Sequence, residues 1–162
     1  MTDSDPQEFS EAYNRTLGLL SRRDHSAMEL RRKLSSRGYG DDLVEQVLEQ
    51  LESRGLQSDE LFARNYVQSR RGRGFGPVKI AAELRQHGID RQLLSDLIDE
   101  RDRGWLLECQ RLMERKFSRA TGAVDRKEKL RRSRFLLQRG FPPSMVSRLL
   151  DGSSHDDFEF DE

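Results

Sequence analysis

A chain of 162 residues, 34% apolar and 36% charged, has the size of one ordinary domain or a short repeat array and little material for a thick two-layer core. Apolar runs stop at three residues (Trp105-Leu106-Leu107, Phe135-Leu136-Leu137), excluding a membrane helix of about 20 apolar residues; the acidic N-terminus is unlike a secretory signal, and the single cysteine, Cys109, leaves no internal disulfide. The zero net charge hides a segregation: residues 1–11 and 151–162 hold ten acids and no Lys or Arg, so residues 12–150 carry all 29 basic groups against 19 acids, which favours an anionic partner.

Val, Ile and Thr total only 12 residues, whereas Leu, Arg, Glu and Gln abound, so an all-α fold without strands is predicted. An acidic lead-in over 1–11 runs into a first helix over 7–22, behind Pro6. Ser26 followed by Glu29 has the spacing of a reciprocal capping box and opens a helix over 26–37; Asp42 with Glu45 repeats the pattern for 41–53. Further helices are predicted over 58–70, 77–87, 90–102, 105–119, 126–139 and 143–150, with Pro77 and Pro142-Pro143 at starts and Gly38, Gly55, Gly88 and Gly140 as stops. The acidic end, 151–162, is expected to be disordered.

Superposing Gly38, Gly88 and Gly140 reveals a repeat. Leu34, Leu84 and Leu136 stand four before the glycine; Tyr39, Ile89 and Phe141 follow it as apolar plugs. Leu43-Val44, Leu93-Leu94 and Met145-Val146 come next, then Val47-Leu48, Leu97-Ile98 and Leu149-Leu150. One such unit cannot close a core, but three stacked units can, so three three-helix repeats are expected (12–55, 56–103 and 104–150), stacked as an elongated, curved array. Arg132 breaks the pattern where Leu30 and Ile80 stand.

Residue types suited to catalysis are present without a site to hold them. His25, His87 and His155 lack metal-ligand spacing; His25 falls in a turn and His87 at a helix end, where a cation suits the dipole. Cys109 lies among leucines as a packed thiol. Gly72-Arg-Gly-Phe-Gly76 has neither a preceding strand nor the Lys-Ser/Thr of a nucleotide loop, and is expected to be a flexible turn before Pro77 that doubles as an anion contact. Asp41-Asp42 suits helix capping better than metal binding, and Asp156-Asp157 falls in the acidic end. No catalytic residue, metal or cofactor is therefore assigned, and an enzyme such as a nuclease is the weakest of the functional classes.

Twenty-four of the 29 basic residues are Arg, whose planar guanidinium makes forked bonds to phosphate and carboxylate. Residues 64–85 hold Arg64, Arg70, Arg71, Arg73, Lys79 and Arg85 against Glu83 alone; residues 111–139 hold eleven basic groups against Glu114, Asp125 and Glu128. These clusters suit nucleic acid or an acidic protein surface. Phe62 and Tyr66, four apart, suit core packing better than base stacking.

The run Leu17 to Leu34, then Arg37-Gly-Tyr39, Asp59 to Arg70 and Gly76 to Ile89 resembles the RecX regulators of the bacterial RecA recombinase, a likeness covering about residues 12–150. It implies a cytoplasmic, monomeric, non-enzymatic protein of tandem three-helix repeats. Such a protein would bind in the groove of the RecA–DNA filament and modulate, mainly inhibit, strand exchange, ATP hydrolysis and co-protease action in recombination, DNA repair and the SOS response, with single- or double-stranded DNA as a further partner. Pro142-Pro143 departs from the Ser-like cap usual in the family. Expected electrostatic contacts are Arg70, Arg71, Arg73, Lys79 and Arg85, then Arg131, Arg132 and Arg134, on a scaffold of Asp59, Phe62, Tyr66, Leu84, Gly38, Gly88 and Gly140. The alternative is a direct DNA-binding regulator built like a helix-turn-helix.

Overall fold

The computed structural model describes residues 5–117 and 124–151. Among them there are nine helices and no strand: α1 (Pro6–Arg22), α2 (Ala27–Ser36), α3 (Asp41–Ser53), α4 (Asp59–Gly72), α5 (Pro77–Gln86), α6 (Arg91–Leu97), α7 (Arg103–Lys116), α8 (Arg126–Gln138) and α9 (Pro143–Asp151). Every predicted helix is present. α6 is the one that stops well short, at Leu97 instead of 102. α7 ends at Lys116 with Phe117 extended, so the last two residues predicted for it fall outside the described residues, as does the acidic end beyond Asp151.

Five glycines adopt positive φ: Gly38, Gly55, Gly74, Gly88 and Gly140. Each closes a helix by the same pair of bonds. At Gly140, for example, its own N–H donates to Leu137 and the next N–H, of Phe141, donates back to Leu136; Gly38 and Tyr39 do the same with Ser35 and Leu34. This pair of hydrogen bonds satisfies carbonyls that the helix end would orphan, and at Gly88 and Gly140 it turns the next residue inward. Ile89 and Phe141 are accordingly buried, and Leu34, Leu84 and Leu136 are fully covered.

Ser26 and Glu29 form the expected capping box on α2, with the Glu29 N–H donating to Ser26 Oγ at 3.2 Å. The second box does not form. α3 is capped by Gly40 without a side-chain bond, leaving Asp41 and Asp42 as acids in its first turn, while Glu45 accepts a 2.5 Å bond from Arg31 of α2. An opposing guanidinium holds Glu45 in place of its own helix terminus.

The chain divides into two compact units, residues 1–66 with 83–97, and residues 67–82 with 98–162, so the division falls inside α4 and α5. In the first, α1, α2 and α3 pack on one another around Leu30, Leu34, Val44, Val47 and Leu51, with Tyr13, Leu17 and Tyr39 at the margin. Asp59 serves this unit as scaffold: its carboxylate accepts from the Ala27 N–H at 2.8 Å and from Gln57 at 2.9 Å, tying the start of α4 to the start of α2. Phe62 is buried, and Tyr66 donates its hydroxyl to Glu83. In the second unit α7, α8 and α9 pack mutually, and Trp105, Cys109, Leu136, Phe141 and Val146 are among its buried side chains. Arg132, at the position of Leu30 and Ile80 in the repeat, is buried there too. Its Nε lies 3.2 Å from Glu128 and its guanidinium 5.2 Å from the Phe117 ring, so a charge fills an apolar position by bringing its own partners.

Candidate functional site

α4 ends in Arg70-Arg71-Gly72-Arg73-Gly74. Gly74, at φ +85°, turns the chain; its N–H donates to Arg71 and that of Phe75 to Arg70. The glycine-rich loop is thus the expected turn before Pro77, built as a helix stop with Phe75 as its plug. Phe75 is only half-buried, and cations surround it. The Arg70 guanidinium lies 3.8 Å from the ring centroid, that of Arg139 at 4.8 Å, and Lys79 Nζ at 5.0 Å. The ring's negative face offsets part of the repulsion among the three, at about 0.5–1 kcal/mol per exposed pair.

Arg139 reaches this point because the stop of α8 is laced to the start of α5. The Gly76 N–H donates to the Arg139 carbonyl at 2.7 Å, the Val78 N–H to the Gly140 carbonyl at 2.9 Å, and Arg139 Nη1 to the Arg73 carbonyl at 3.5 Å. Arg73, Lys79 and Arg139 form no ion pair among the described residues. The charges of Arg73, Lys79 and Arg139 thus meet no carboxylate among the described residues, which suits an anionic partner.

The other expected contacts have different fates. Arg71, 26% exposed, donates from Nε to Glu108 at 2.7 Å, approaches Asp102 at 3.7 Å and lies 3.9 Å from the Trp105 ring centroid, so its charge is spent inside the second unit. Arg131, 68% exposed, lies 3.5 Å from Glu128, and it shares a cleft of about 910 Å³ with Lys127, Arg134 and Gln138, which follow one another at helical spacing along α8. Arg132 is buried, as described. Arg85 is exposed and belongs to the first unit, whereas the other seven belong to the second. Arg139, Phe75 and Lys127 were not singled out from sequence. The available signal was the basic residue before each repeated stop glycine, Arg37, His87 and Arg139; what Arg139 would meet was not visible, because Phe75 lies more than sixty positions away.

Groups suited to catalysis are committed to structure. Burial pushes the Cys109 thiol up to about 12, so it stays protonated and inert. No group of three or more His, Cys, Asp or Glu that could hold a metal ion occurs among the described residues. His87 caps a polar cluster in the first unit, its Nδ1 3.1 Å from Glu29 and its ring edge-on to Phe62 and Tyr66.

His25 is buried with Nδ1 donating to the Arg23 carbonyl at 3.0 Å and Nε2 accepting from Lys33 at 2.9 Å. Burial, and then the charges of Arg23 and Lys33, hold its pKa below the ordinary 6.5. The unfolded chain therefore takes a proton near that pH which the folded chain refuses, and stability falls as pH drops below 6.5. The Glu29 carboxyl is also depressed: burial opposes this, but the bond and charge of Arg23 outweigh it, so its loss begins only below 4.5. Urea midpoints measured between about pH 7 and pH 5 should fall for the native chain and flatten for His25→Gln. Equal slopes would remove His25 as the cause.

The three repeats match three family models in order: RecX, first three-helix domain, at residues 12–51; second, at 58–97; third, at 108–150. Together they span well over half of the chain. The chain belongs to the RecX family. It is 39% identical over 141 residues to Regulatory protein RecX of Pseudomonas savastanoi pv. phaseolicola, covering 87% of this chain and 90% of that protein. Identity to Regulatory protein RecX of Halorhodospira halophila is also 39% over 141 residues, covering 87% of each. The crystal structure of RecX from Lactobacillus salivarius superposes with a TM-score of 0.79 at 24% sequence identity, over 90% of this chain and 96% of that one, and so shares the fold. In RecX terms the cation cluster lies where the second three-helix domain meets the stop glycine of the third, and no helix among the described residues is long and apolar enough to cross a membrane.

Proposed function

We propose that this RecX protein regulates a RecA recombinase without chemistry of its own, by binding as a monomer in the groove of the RecA–DNA filament and restraining strand exchange, ATP hydrolysis and co-protease action. The observation that carries the reading is the cation cluster at the Phe75 turn: Lys79 and Arg139 lie against the ring, Arg73 stands in the turn itself, and none of the three has a carboxylate partner among the described residues. Arg131 and Arg134 on α8 extend the surface; Arg85, in the first unit, is a separate proposed contact. Arg70 both braces Phe75 and adds charge; Arg71 and Arg132 support the surface from within. An inhibitor of this kind works by preferring one filament state over another, since a ligand indifferent to state shifts nothing.

Reversing Arg73, Lys79 and Arg139 to Glu should weaken co-sedimentation with RecA assembled on single-stranded DNA by roughly 10- to 100-fold, and inhibition of strand exchange with it, while helicity is unchanged. Undiminished inhibition would take the cluster out of the mechanism. Co-sedimentation with DNA alone, steeply salt-dependent and needing no recombinase, would favour the direct DNA-binding alternative.

A further inference from the structure

One feature of the second unit takes no part in that surface. A cleft of about 380 Å³ between α8 and α9 is lined by Arg126, Lys129, Leu130, Leu137 and Leu150, and by Asp151, the last described residue. Leu130 and Leu137 are 51% and 41% exposed. Seven apart, they stand two turns from each other on one side of a helix otherwise rich in charge. Arg126 and Lys129 beside them form no ion pair among the described residues. The cleft therefore offers apolar surface between unpaired cations, and it calls for a ligand with aromatic or aliphatic groups set among carboxylates.

The chain itself carries such a segment next to the cleft. Residues 152–162 hold Asp156, Asp157, Glu159, Asp161 and Glu162, with Phe158 and Phe160 between them and no Lys or Arg. Residues two apart share a side of an extended chain, so both rings can face one surface while the acids flank it. Phe158 is seven residues beyond Asp151, a reach of up to roughly 24 Å, against roughly 17 Å of α8 from Arg126 to Leu137. A tether this short supplies its end at an effective concentration on the order of millimolar.

We propose that residues 152–162 fold back into the α8/α9 cleft, with Phe158 and Phe160 against Leu130 and Leu137 and their acids against Arg126 and Lys129. The segment then places carboxylates along the helix that also carries Arg131 and Arg134, and competes with an external anion for it. The docking stands independently of the RecA reading; only the competition rests on it.

Aromatic rings displace the resonances of methyl groups beneath them, so NMR of the full chain tests the contact directly. The Leu130 and Leu137 methyls should be shifted upfield, independent of protein concentration. They should return on Phe158→Ala/Phe160→Ala and on Arg126→Glu/Lys129→Glu, while the Leu34 and Leu43 methyls of the first unit do not move. Unchanged Leu130 and Leu137 methyls in the Phe variant, or shifts that vanish on dilution because a second copy supplies the segment, would overturn the proposal. If the methyls respond as expected while RecA co-sedimentation does not change, the docking stands and the competition falls.

Discussion

Gly140→Ala is expected to destabilise the second unit by about 3–4 kcal/mol, against about 1 kcal/mol for Gly38→Ala at the equivalent place in the first repeat. Both glycines hold positive φ, +97° and +90°, so both substitutions pay for a left-handed backbone that a Cβ disfavours. Space separates them. A Cβ on Gly38 meets nothing, whereas one on Gly140 runs into the backbone and Cβ of Lys79. Lys79 cannot give way easily, because the neighbouring Val78 N–H is bonded to the Gly140 carbonyl and the Gly76 N–H to that of Arg139. Gly76 closes the contact from the other side, since a Cβ there would meet the Gly140 carbonyl. Gly140→Ala should also scatter the cations around Phe75, so binding to RecA on DNA should weaken even where the variant remains folded. Chemical denaturation of the two variants decides the matter; similar losses would mean that the α5/α8 lacing does not constrain Gly140.

Arg71→Ala is expected to cost about 3 kcal/mol, and Arg73→Ala, two residues on, less than about 0.5 kcal/mol. Arg71 Nε donates to both oxygens of Glu108 and its guanidinium lies 3.9 Å from the Trp105 ring centroid, so its loss leaves a half-buried carboxylate without its donor and an indole face uncovered. A charged hydrogen bond of this kind contributes about 1.5–3 kcal/mol and the ring contact about 1 kcal/mol, the two not fully additive. Arg71→Lys keeps the charge and loses the Nε donor and the guanidinium's contact with the ring, so it should recover less than half of the loss. The binding measurement should invert the order: Arg73→Ala weakens the filament complex, whereas Arg71→Ala does so only as far as it unfolds the second unit. A double-mutant cycle with Glu108→Gln gives the pair energy, and a coupling near zero would contradict this account.

The helices were legible because their signals are local. A capping residue and its third neighbour, or a glycine and the carbonyls three and four residues before it, lie within a few positions, and the hydrogen bonds that end the helix connect those same residues. The repeat was legible for a related reason, since Leu34, Leu84 and Leu136 occupy equivalent buried positions. Local signals failed where a distant group competed, as when Arg31 drew Glu45 away from a capping role. They also missed Gly74 as a helix stop, because the run of glycines hid which one closes the helix on the carbonyls of Arg70 and Arg71.

The amino-acid sequence by itself determined nine helices, three repeats and a surplus of arginine between acidic ends. Which arginines the surplus leaves available was decided only in three dimensions. Arg70, Arg71 and Arg73 are near neighbours of the same chemical type, yet one lies over Phe75, one is bonded through Nε to Glu108, and one forms no ion pair among the described residues. The physical reason is range. Helix propensity and capping depend on the nearest residues along the chain, while a guanidinium's fate depends on which carboxylate or ring another helix brings within about 4 Å of it.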